Sequence, residues 1–175
     1  MDMDQKALAV LMAKEEIREL AMLYSRGVDR KDAALLKTLY TKDGTDNHGK
    51  HFNGSAADYI EFLEKSFPHM SMSGHFICNH LISVAADEAE GEVYALAHHV
   101  LPDGKGGVVK DFMAVRYIDR YRKENGRWLF ASRVVSFDLR TTDPMPTPTA
   151  APNAPAQDPS YTQLRMRLFA RGARA

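Results

Sequence analysis

The sequence predicts an α+β domain in which three N-terminal helices pack on one face of a curved antiparallel sheet. Up to Phe67 the apolar residues recur at helical spacing, whereas after Ser73 long runs rich in β-branched and aromatic residues begin. The dipeptide Asn125-Gly126 separates two of those runs and is the strongest short signal for a β-hairpin, so neighbouring strands should pair antiparallel. Helices followed by a strand meander are typical of an α+β domain, and we expect a cone-shaped pocket between the two layers.

Three segments are predicted to be helices. Residues 15–28 place an apolar stripe along one helical face, and Asp32 is the expected N-cap of a second helix over 33–40. A third helix is predicted from 55 to 67, because Pro68 ends the pattern. The polar segment 41–47 is expected to be the loop that ends the second helix.

Four strands are predicted at 75–84, 91–101, 108–124 and 127–138. Most of the chain's eight prolines follow the last strand, which predicts an extended linker at 141–160 that forms neither helix nor ladder. The sequence therefore divides into a domain at 1–140, this linker, and a C-terminal arm at 161–175. The arm is both apolar and basic, so we expect it either to fray or to pack over the pocket mouth or on a neighbouring subunit.

Composition narrows the class of partner. Lys and Arg total 23 and balance 23 Asp and Glu, so no overall field favours nucleic acid or anionic lipid, and a small apolar partner is expected. The basic residues Arg116, Arg120 and Arg122 are interpreted as a solvated outer face of the sheet. Cys78 is the only cysteine, which excludes an intrachain disulfide, and its apolar surroundings predict a buried, inert thiol. We expect a cytoplasmic protein without membrane segments.

Asp29 and His75 are the most informative candidate site residues. Asp29 ends the first helix, where the helix dipole disfavours a carboxylate, and His75 opens the first long strand. Strand alternation puts His75 on the same side as Ile77 and Leu81, so its imidazole should enter the pocket if that side faces the helices. A carboxylate that orients an imidazole makes a general base. Tyr24 could reach the same pocket as Asp29 only if the first helix loosens around Gly27; the alternatives are a core aromatic or a hydroxyl donor to substrate.

The histidines leave two further questions open. His98 and His99 point to opposite faces of their strand, and His99 is favoured as the inward one because small alternate residues share its side. A metal site formed by Asp29, His75 and His99 is a weaker alternative, because no HExxH or CxxC spacing occurs. No glycine-rich phosphate loop follows a strand, so no nucleotide cofactor is predicted.

Several motifs together resemble the SnoaL-like branch of the nuclear-transport-factor-2-like (NTF2-like) fold, over roughly residues 13–138. They are Ile17-Arg18-Glu19-Leu20, Tyr24 followed by Asp29, the helix at 32–40, Gly74-His75-Phe76-Ile77-Cys78-Asn79-His80, Arg120-Tyr121 and Gly126-Arg127-Trp128. Scytalone dehydratase, lindane dehydrochlorinase and bile-acid 7α-dehydratase are the functional models that this family offers. The resemblance implies a cone-like or cystatin-like α+β barrel.

The resemblance also implies roles for individual residues. Asp29 and His75 match the catalytic dyad of the family, Tyr24 matches a tyrosine of its dehydratases, and His99 matches the second histidine of scytalone dehydratase. Phe137 stands where the bile-acid enzyme has a pocket arginine, and Arg133 lies nearby. Substrate is expected to contact Phe137, Met113 and Phe62.

The implied function is a cofactor-independent lyase of the dehydratase type, or an isomerase, acting on a small hydrophobic cyclic or aromatic molecule. The alternative is a non-catalytic ligand-binding or scaffolding protein, including a role like that of a ring-hydroxylating dioxygenase β subunit. Relatives of this kind also suggest a homotrimer or homodimer that associates through the outer face of the sheet.

Overall fold

The computed structural model describes residues 3–146 and 154–174, and it confirms the α+β architecture. The helices are α1 (Met3–Asp29), α2 (Ala33–Lys37), α3 (Ala56–Ser66) and, near the C-terminus, α4 (Ser160–Gln163). Asp32 caps α2 by accepting a hydrogen bond from Leu35 N at 3.1 Å, and Ser55 caps α3 in the same way through Asp58 N. In the described part of the chain no helix is long and apolar enough to cross a membrane.

One six-stranded sheet forms the second layer, in the order β2-β1-β6-β5-β4-β3. Its strands are β1 (Tyr40–Asn47), β2 (Asn53–Ser55), β3 (Met72–Ala85), β4 (Glu88–Pro102), β5 (Val108–Glu124) and β6 (Arg127–Met145). The four predicted strands form the meander from β3 to β6, and their pairing is antiparallel throughout.

The prediction of a loop at 41–47 was wrong, because that segment is strand β1. It pairs parallel with β6 and antiparallel with β2. The segment lacks the alternating apolar pattern of a strand, and its strand state depends on pairing with residues far along the chain. One of its polar side chains, Asp46, is fully buried, so this strand contributes to the interior as well as to the edge.

The prediction of a linker from residue 141 also needs correction. Strand β6 continues to Met145, and its end pairs with the start of β5, as in the register Val109 to Pro144. Over this stretch β6 has β5 as its neighbour, whereas β1 pairs with β6 only between Phe130 and Val134. A proline is tolerated there because the missing N–H would face the free edge of the sheet. The part of the predicted linker at 147–153 lies outside the described residues.

A bulge in β3 changes which side chains face the helices. The register shifts by one residue between Ile77 and His80, so two-residue alternation fails there. Leu81 is 67% exposed, contrary to the prediction that it shares the side of His75, and Ile82 packs against the core instead. Cys78 lies in the bulge and is exposed rather than buried.

The helices pack on the concave face of the sheet. Ile17 and Leu20 of α1 are completely buried with Leu36 of α2 and Phe130 of β6. The helix α1 runs without interruption through Gly27, where an added Cβ would lie 2.6 Å from a methyl carbon of Leu36. Gly27 therefore allows α1 and α2 to approach closely, and the loosening that would let Tyr24 and Asp29 face one pocket does not occur.

The C-terminal residues 154–174 return to the corner between α1 and α2. Arg26 Nη2 donates a hydrogen bond to Phe169 O at 3.1 Å, Gly172 N donates one to Asp32 Oδ2 at 2.8 Å, and Leu168 packs on the main core. None of these described residues borders the large cavity, so they do not cover its mouth. Leu168 and Phe169 of the arm instead line one side of a groove along the outer side of α1.

Candidate active site

A cavity of about 320 Å³ lies between the helices and the concave face of the sheet. Its apolar wall includes the three predicted substrate contacts, Phe62, Met113 and Phe137. Its polar wall includes Tyr24, His48, Tyr59, His75, His99, Asp111 and Arg140. A cavity of this size, mostly apolar with a few converging polar groups, suits a small organic molecule.

The fold brings Asp29 and His75 together, although 46 positions separate them in sequence. His75 Nδ1 lies 2.7 Å from Asp29 Oδ1, and His75 N donates to Asp29 Oδ2 at 3.0 Å. Ser73 Oγ donates a further hydrogen bond to Asp29 Oδ1 at 2.8 Å. An ionised carboxylate can only accept, so the Nδ1 atom of His75 carries a proton, and in the neutral imidazole its Nε2 atom keeps a lone pair.

The electrostatics of the pair keep Asp29 ionised. Burial alone would raise the pKa of Asp29, but the hydrogen bonds from His75 and Ser73 outweigh burial and hold that pKa below its ordinary value. The side chains of His75 and Asp29 are only 8% and 14% exposed, so water screens the interaction weakly. The contacts to Asp29 also compensate for its unfavourable position at the C-terminal end of α1.

His99 lies at the cavity on β4, diagonally across from His75 on β3. The two imidazole rings meet edge to face, with centroids 5.3 Å apart. His98 instead contacts Phe76, as expected for the opposite face of the strand. Burial and the neighbouring His75 lower the pKa of His99 to about 4. His99 is therefore neutral at ordinary pH, and its Nδ1 lies 3.7 Å from Asp111 Oδ2.

Tyr24 borders the cavity, but its hydroxyl contacts neither Asp29 nor His75. It lies 2.9 Å from the hydroxyl of Tyr59 on α3. Tyr24 is 2% exposed, and burial raises its pKa far above the ordinary value, so it keeps its proton.

Arg140 is a cavity residue that strand alternation from Phe137 would assign to the opposite face. The register between β5 and β6 shifts at this point: Val115 pairs with Phe137, whereas Ala114 pairs with Leu139. The extra residue brings both Phe137 and Arg140 to the cavity. Arg140 Nε and Nη2 donate to Asp111 at 2.8 and 3.0 Å.

Arg133, the other arginine considered from sequence, lies in the protein interior instead. It is fully buried in a two-pronged ion pair with Asp119, at 2.8 and 2.7 Å. Its guanidinium also lies over the rings of Tyr24, Tyr117 and Phe130, between 4.1 and 4.3 Å from their centroids. These contacts satisfy its charge and are consistent with a structural role beneath the cavity.

The sequence also gave no reason to select His48, Asp46 or Tyr59, because β1 was not recognised as a strand. His48 Nδ1 lies 2.6 Å from Asp46 Oδ1, and His48 Nε2 lies 3.1 Å from the hydroxyl of Tyr59. The available signal was the spacing Asp46-x-His48, which places both side chains on one face of a strand.

The described residues contain no group of three His, Cys, Asp or Glu side chains arranged to hold a metal ion. The metal alternative through Asp29, His75 and His99 therefore has no support from the geometry. Their arrangement instead suits proton transfer, because one imidazole is tied to a carboxylate and a second, neutral imidazole stands beside it.

Comparison with known proteins agrees with the fold. The model of the SnoaL-like domain family matches residues 9–134. A putative scytalone dehydratase from Novosphingobium aromaticivorans is 22% identical, with a TM-score of 0.68 over 86% of this chain and 97% of its own. A type 2 hexachlorocyclohexane dehydrochlorinase (LinA) is 21% identical, with a TM-score of 0.69 over 86% of this chain and 98% of its own.

A third similar structure, a putative aromatic ring hydroxylase from N. aromaticivorans, is 19% identical, with a TM-score of 0.67 over 77% of this chain and 94% of its own. No curated protein matches the sequence. The family match extends from α1 to β6 and includes Asp29, His75 and His99, and the predicted resemblance is confirmed. The chain belongs to the SnoaL-like family, with an NTF2-like fold.

Proposed function

We propose that this protein is a cofactor-independent lyase of the dehydratase type, or an isomerase, that acts on a small hydrophobic cyclic molecule. The observation that carries the proposal is the Asp29–His75 pair, whose imidazole borders an apolar cavity while its carboxylate lies behind the ring. A buried carboxylate that holds Nδ1–H leaves Nε2 as a general base. Two structurally similar proteins are named for elimination chemistry, as a putative dehydratase and a dehydrochlorinase, which supports the same reaction class.

In the proposed reaction, His75 Nε2 removes a proton from a carbon next to a carbonyl group or ring. The electron pair of that C–H bond forms a carbon–carbon double bond, and the bond to a hydroxyl on the neighbouring carbon breaks. Tyr24 or neutral His99 passes a proton to the departing hydroxyl, which leaves as water, and regains a proton in the same step so that neither side chain remains an anion. For His99, that proton comes from the imidazolium of the neighbouring His75. The negative charge of Asp29 stabilises the imidazolium formed on His75, and a cavity that excludes water strengthens that interaction.

The cavity walls suggest how substrate is oriented. Phe62, Met113 and Phe137 supply an apolar surface for a ring, and the paired Arg140 and Asp111 supply a polar end. A substrate with one polar substituent on a compact carbocycle fits this division. General acid–base catalysis in such a site contributes about 10² to 10⁴-fold to the rate.

Deuterium exchange into 2-tetralone tests the proposal without knowledge of the leaving group. This small cyclic ketone has acidic protons next to its carbonyl, and proton NMR in D₂O follows their replacement. We expect the wild-type protein to accelerate exchange, and we expect His75→Gln to return the rate to that of buffer. His69→Gln is the matched control, because His69 also borders the cavity but is not paired with Asp29.

The alternative function is ligand binding or scaffolding without turnover. It predicts that 2-tetralone binds to the wild type and to His75→Gln alike, and that neither protein accelerates exchange. That result would overturn the lyase proposal.

We also propose a homodimer or homotrimer that associates through the outer face of the sheet. Phe76, Leu96, Ile118 and Val134 lie on the strands and are between 41% and 58% exposed. Light scattering of the purified protein measures the number of copies, and a monomeric mass would contradict this part of the proposal.

A further inference from the structure

A second chain of hydrogen-bonding groups borders the same cavity and has no part in the Asp29–His75 pair. It begins at His48, passes through Tyr59 on α3 and ends at Tyr24 on α1; the carboxylate of Asp46 on β1 lies against His48 in an ion-pair contact that is not aligned as a hydrogen bond. The distances are 2.6 Å from Asp46 Oδ1 to His48 Nδ1, 3.1 Å from His48 Nε2 to the Tyr59 hydroxyl, and 2.9 Å from there to the Tyr24 hydroxyl.

Burial fixes the position of Asp46 beside His48. The Asp46 side chain is 0% exposed, and its other oxygen accepts a hydrogen bond from the Tyr40 hydroxyl at 2.6 Å. His48 also stacks on the ring of Tyr59, with centroids 4.6 Å apart. The imidazole is therefore held between a buried carboxylate and a tyrosine, which is more order than a surface loop histidine requires.

The hydroxyls of Tyr24 and Tyr59 can donate in either direction along the chain, but neither of them becomes charged. Burial raises the pKa of both Tyr24 and Tyr59 well above the ordinary value, so both phenols keep their protons. Each hydroxyl has one proton to donate, and so the direction of the whole chain depends on whether His48 Nε2 carries a proton.

We propose that His48, stacked on Tyr59 and in contact with the buried Asp46, is a positioning residue that determines whether the Tyr24 hydroxyl donates or accepts a hydrogen bond in the cavity. With a proton on both nitrogens, His48 Nε2 donates to Tyr59, Tyr59 donates to Tyr24, and Tyr24 donates to a bound molecule. With Nε2 unprotonated, Tyr59 donates to His48, Tyr24 donates to Tyr59, and Tyr24 offers only an acceptor to the cavity.

This inference rests on the proposed function, because elimination needs a donor for the leaving oxygen. When Tyr24 gives its proton to that oxygen, it takes one from Tyr59, Tyr59 takes one from His48 Nε2, and His48 ends neutral. The proton count balances, and no tyrosinate forms.

Few charged or titratable groups surround His48. Asp46 and Tyr59 contact it directly, and Tyr24 and Tyr40 lie one hydrogen bond further along. From its own loop, His51 is close enough for the two charges to interact; His51 also contacts Arg140.

The test is a pH titration by NMR of the full-length protein labelled at the ζ-carbon of tyrosine. Tyr24→Phe and Tyr59→Phe assign the two signals, and the imidazole carbon signals follow His48. In the wild type we expect the Tyr24 and Tyr59 signals to shift with the same midpoint as His48. In His48→Gln that shift should be lost, whereas the matched variant His51→Gln, on the same loop, should keep it.

Tyrosine signals that stay constant through the His48 titration in the wild type would overturn the proposal, and this result does not depend on any variant folding. A shift that persists in His48→Gln would overturn it as well. The measurement uses no substrate, so its outcome is independent of the deuterium exchange that tests the proposed function.

Discussion

Three histidines that border the cavity each lie beside an aspartate, and two of these pairs, Asp29–His75 and Asp111–His99, differ in the other partners of the carboxylate. Asp29 accepts hydrogen bonds from the backbone and ring of His75 and from Ser73, and no arginine or lysine in the described part of the chain forms an ion pair with it. Asp111 is held by both prongs of Arg140, and His99 lies at the longer distance of 3.7 Å. The same two residue types thus form one close pair and one loose pair.

The difference shows why residue identity alone does not define a catalytic pair. The guanidinium of Arg140 already balances the charge of Asp111, and it holds the pKa of that carboxyl below its ordinary value even though burial alone would raise it. A carboxylate whose charge is already balanced by a guanidinium stabilises a neighbouring imidazolium only weakly. This difference supports the proposal that His75 is the base, and we expect His99 to act as a neutral hydrogen-bonding group that can relay a proton.

The largest expected effect is the difference between the Asp29→Asn and Asp111→Asn variants in the rate of deuterium exchange into 2-tetralone. Asp29→Asn should lower the exchange rate by about 10²-fold or more, because the tautomer and the imidazolium of His75 lose their support. Asp111→Asn should lower it by less than about tenfold. Equal losses in the two variants would show that both pairs serve as the base.

A second prediction concerns acid stability. The folded pKa of His99 is about 4, against about 6.5 in an unfolded chain, so the unfolded state binds more protons between these values. Stability should therefore fall as the pH drops from about 6.5 to about 4. His99→Gln should remove on the order of 3 kcal/mol of that loss, since one pKa unit corresponds to about 1.4 kcal/mol.

Urea unfolding at a series of pH values measures this loss. His80→Gln is a reference, because burial also lowers the pKa of His80 to about 4 and His80 lies outside the cavity. Its contribution should have the same sign as that of His99 and be smaller, because His80 is more exposed to water. Identical pH dependence in the wild type and in His99→Gln would contradict the prediction.

Removal of the Arg140 guanidinium should make the Asp111–His99 pair resemble the Asp29–His75 pair. In Arg140→Gln, Asp111 can turn toward His99, and the pKa of His99 should rise by about one unit. Imidazole NMR signals measure the change. Arg116→Gln is the matched control, because Arg116 is likewise paired with acidic side chains, those of Glu92 and Asp138, but lies on the outer face of the sheet. A pKa that stays near 4 in Arg140→Gln would assign the neutrality of His99 to burial alone.

The smallest effect concerns single hydroxyl groups. Ser73→Ala removes one hydrogen bond to Asp29, worth about 1 kcal/mol, so the exchange rate should fall about fivefold. Thr142→Val removes a comparable contact to Asp111, of 3.3 Å, and should leave the rate within about twofold. A larger effect of Thr142→Val would reverse the ranking of the two pairs.

Local patterns in the sequence were sufficient to predict the three helices, the four-stranded meander and the placement of His75 and His99. Helical periodicity and strand alternation report burial directly, and the Asn125-Gly126 turn determines the pairing of β5 with β6. The contact between Asp29 and His75 could be anticipated only through the family resemblance, because no local pattern links a helix end to a strand 46 positions away.

The remaining features depend on interactions between distant parts of the chain. Strand β1 is polar and forms because β6 and β2 flank it, so the His48 chain could not be predicted. The bulge in β3 exposes Cys78, and the register shift in β6 brings in Arg140; one extra residue in a strand leaves no clear trace in composition.

The register shift in β6 has an evolutionary consequence for a family of this kind. Leu139, the neighbour of Arg140, is 51% exposed, and regular alternation from Phe137 would have turned that leucine into the cavity. Insertion or deletion of one residue in this strand could therefore exchange a charged cavity lining for an apolar one, although every other residue of the sequence stays the same. Relatives could change the polarity of the molecules they accept through strand length as readily as through substitution.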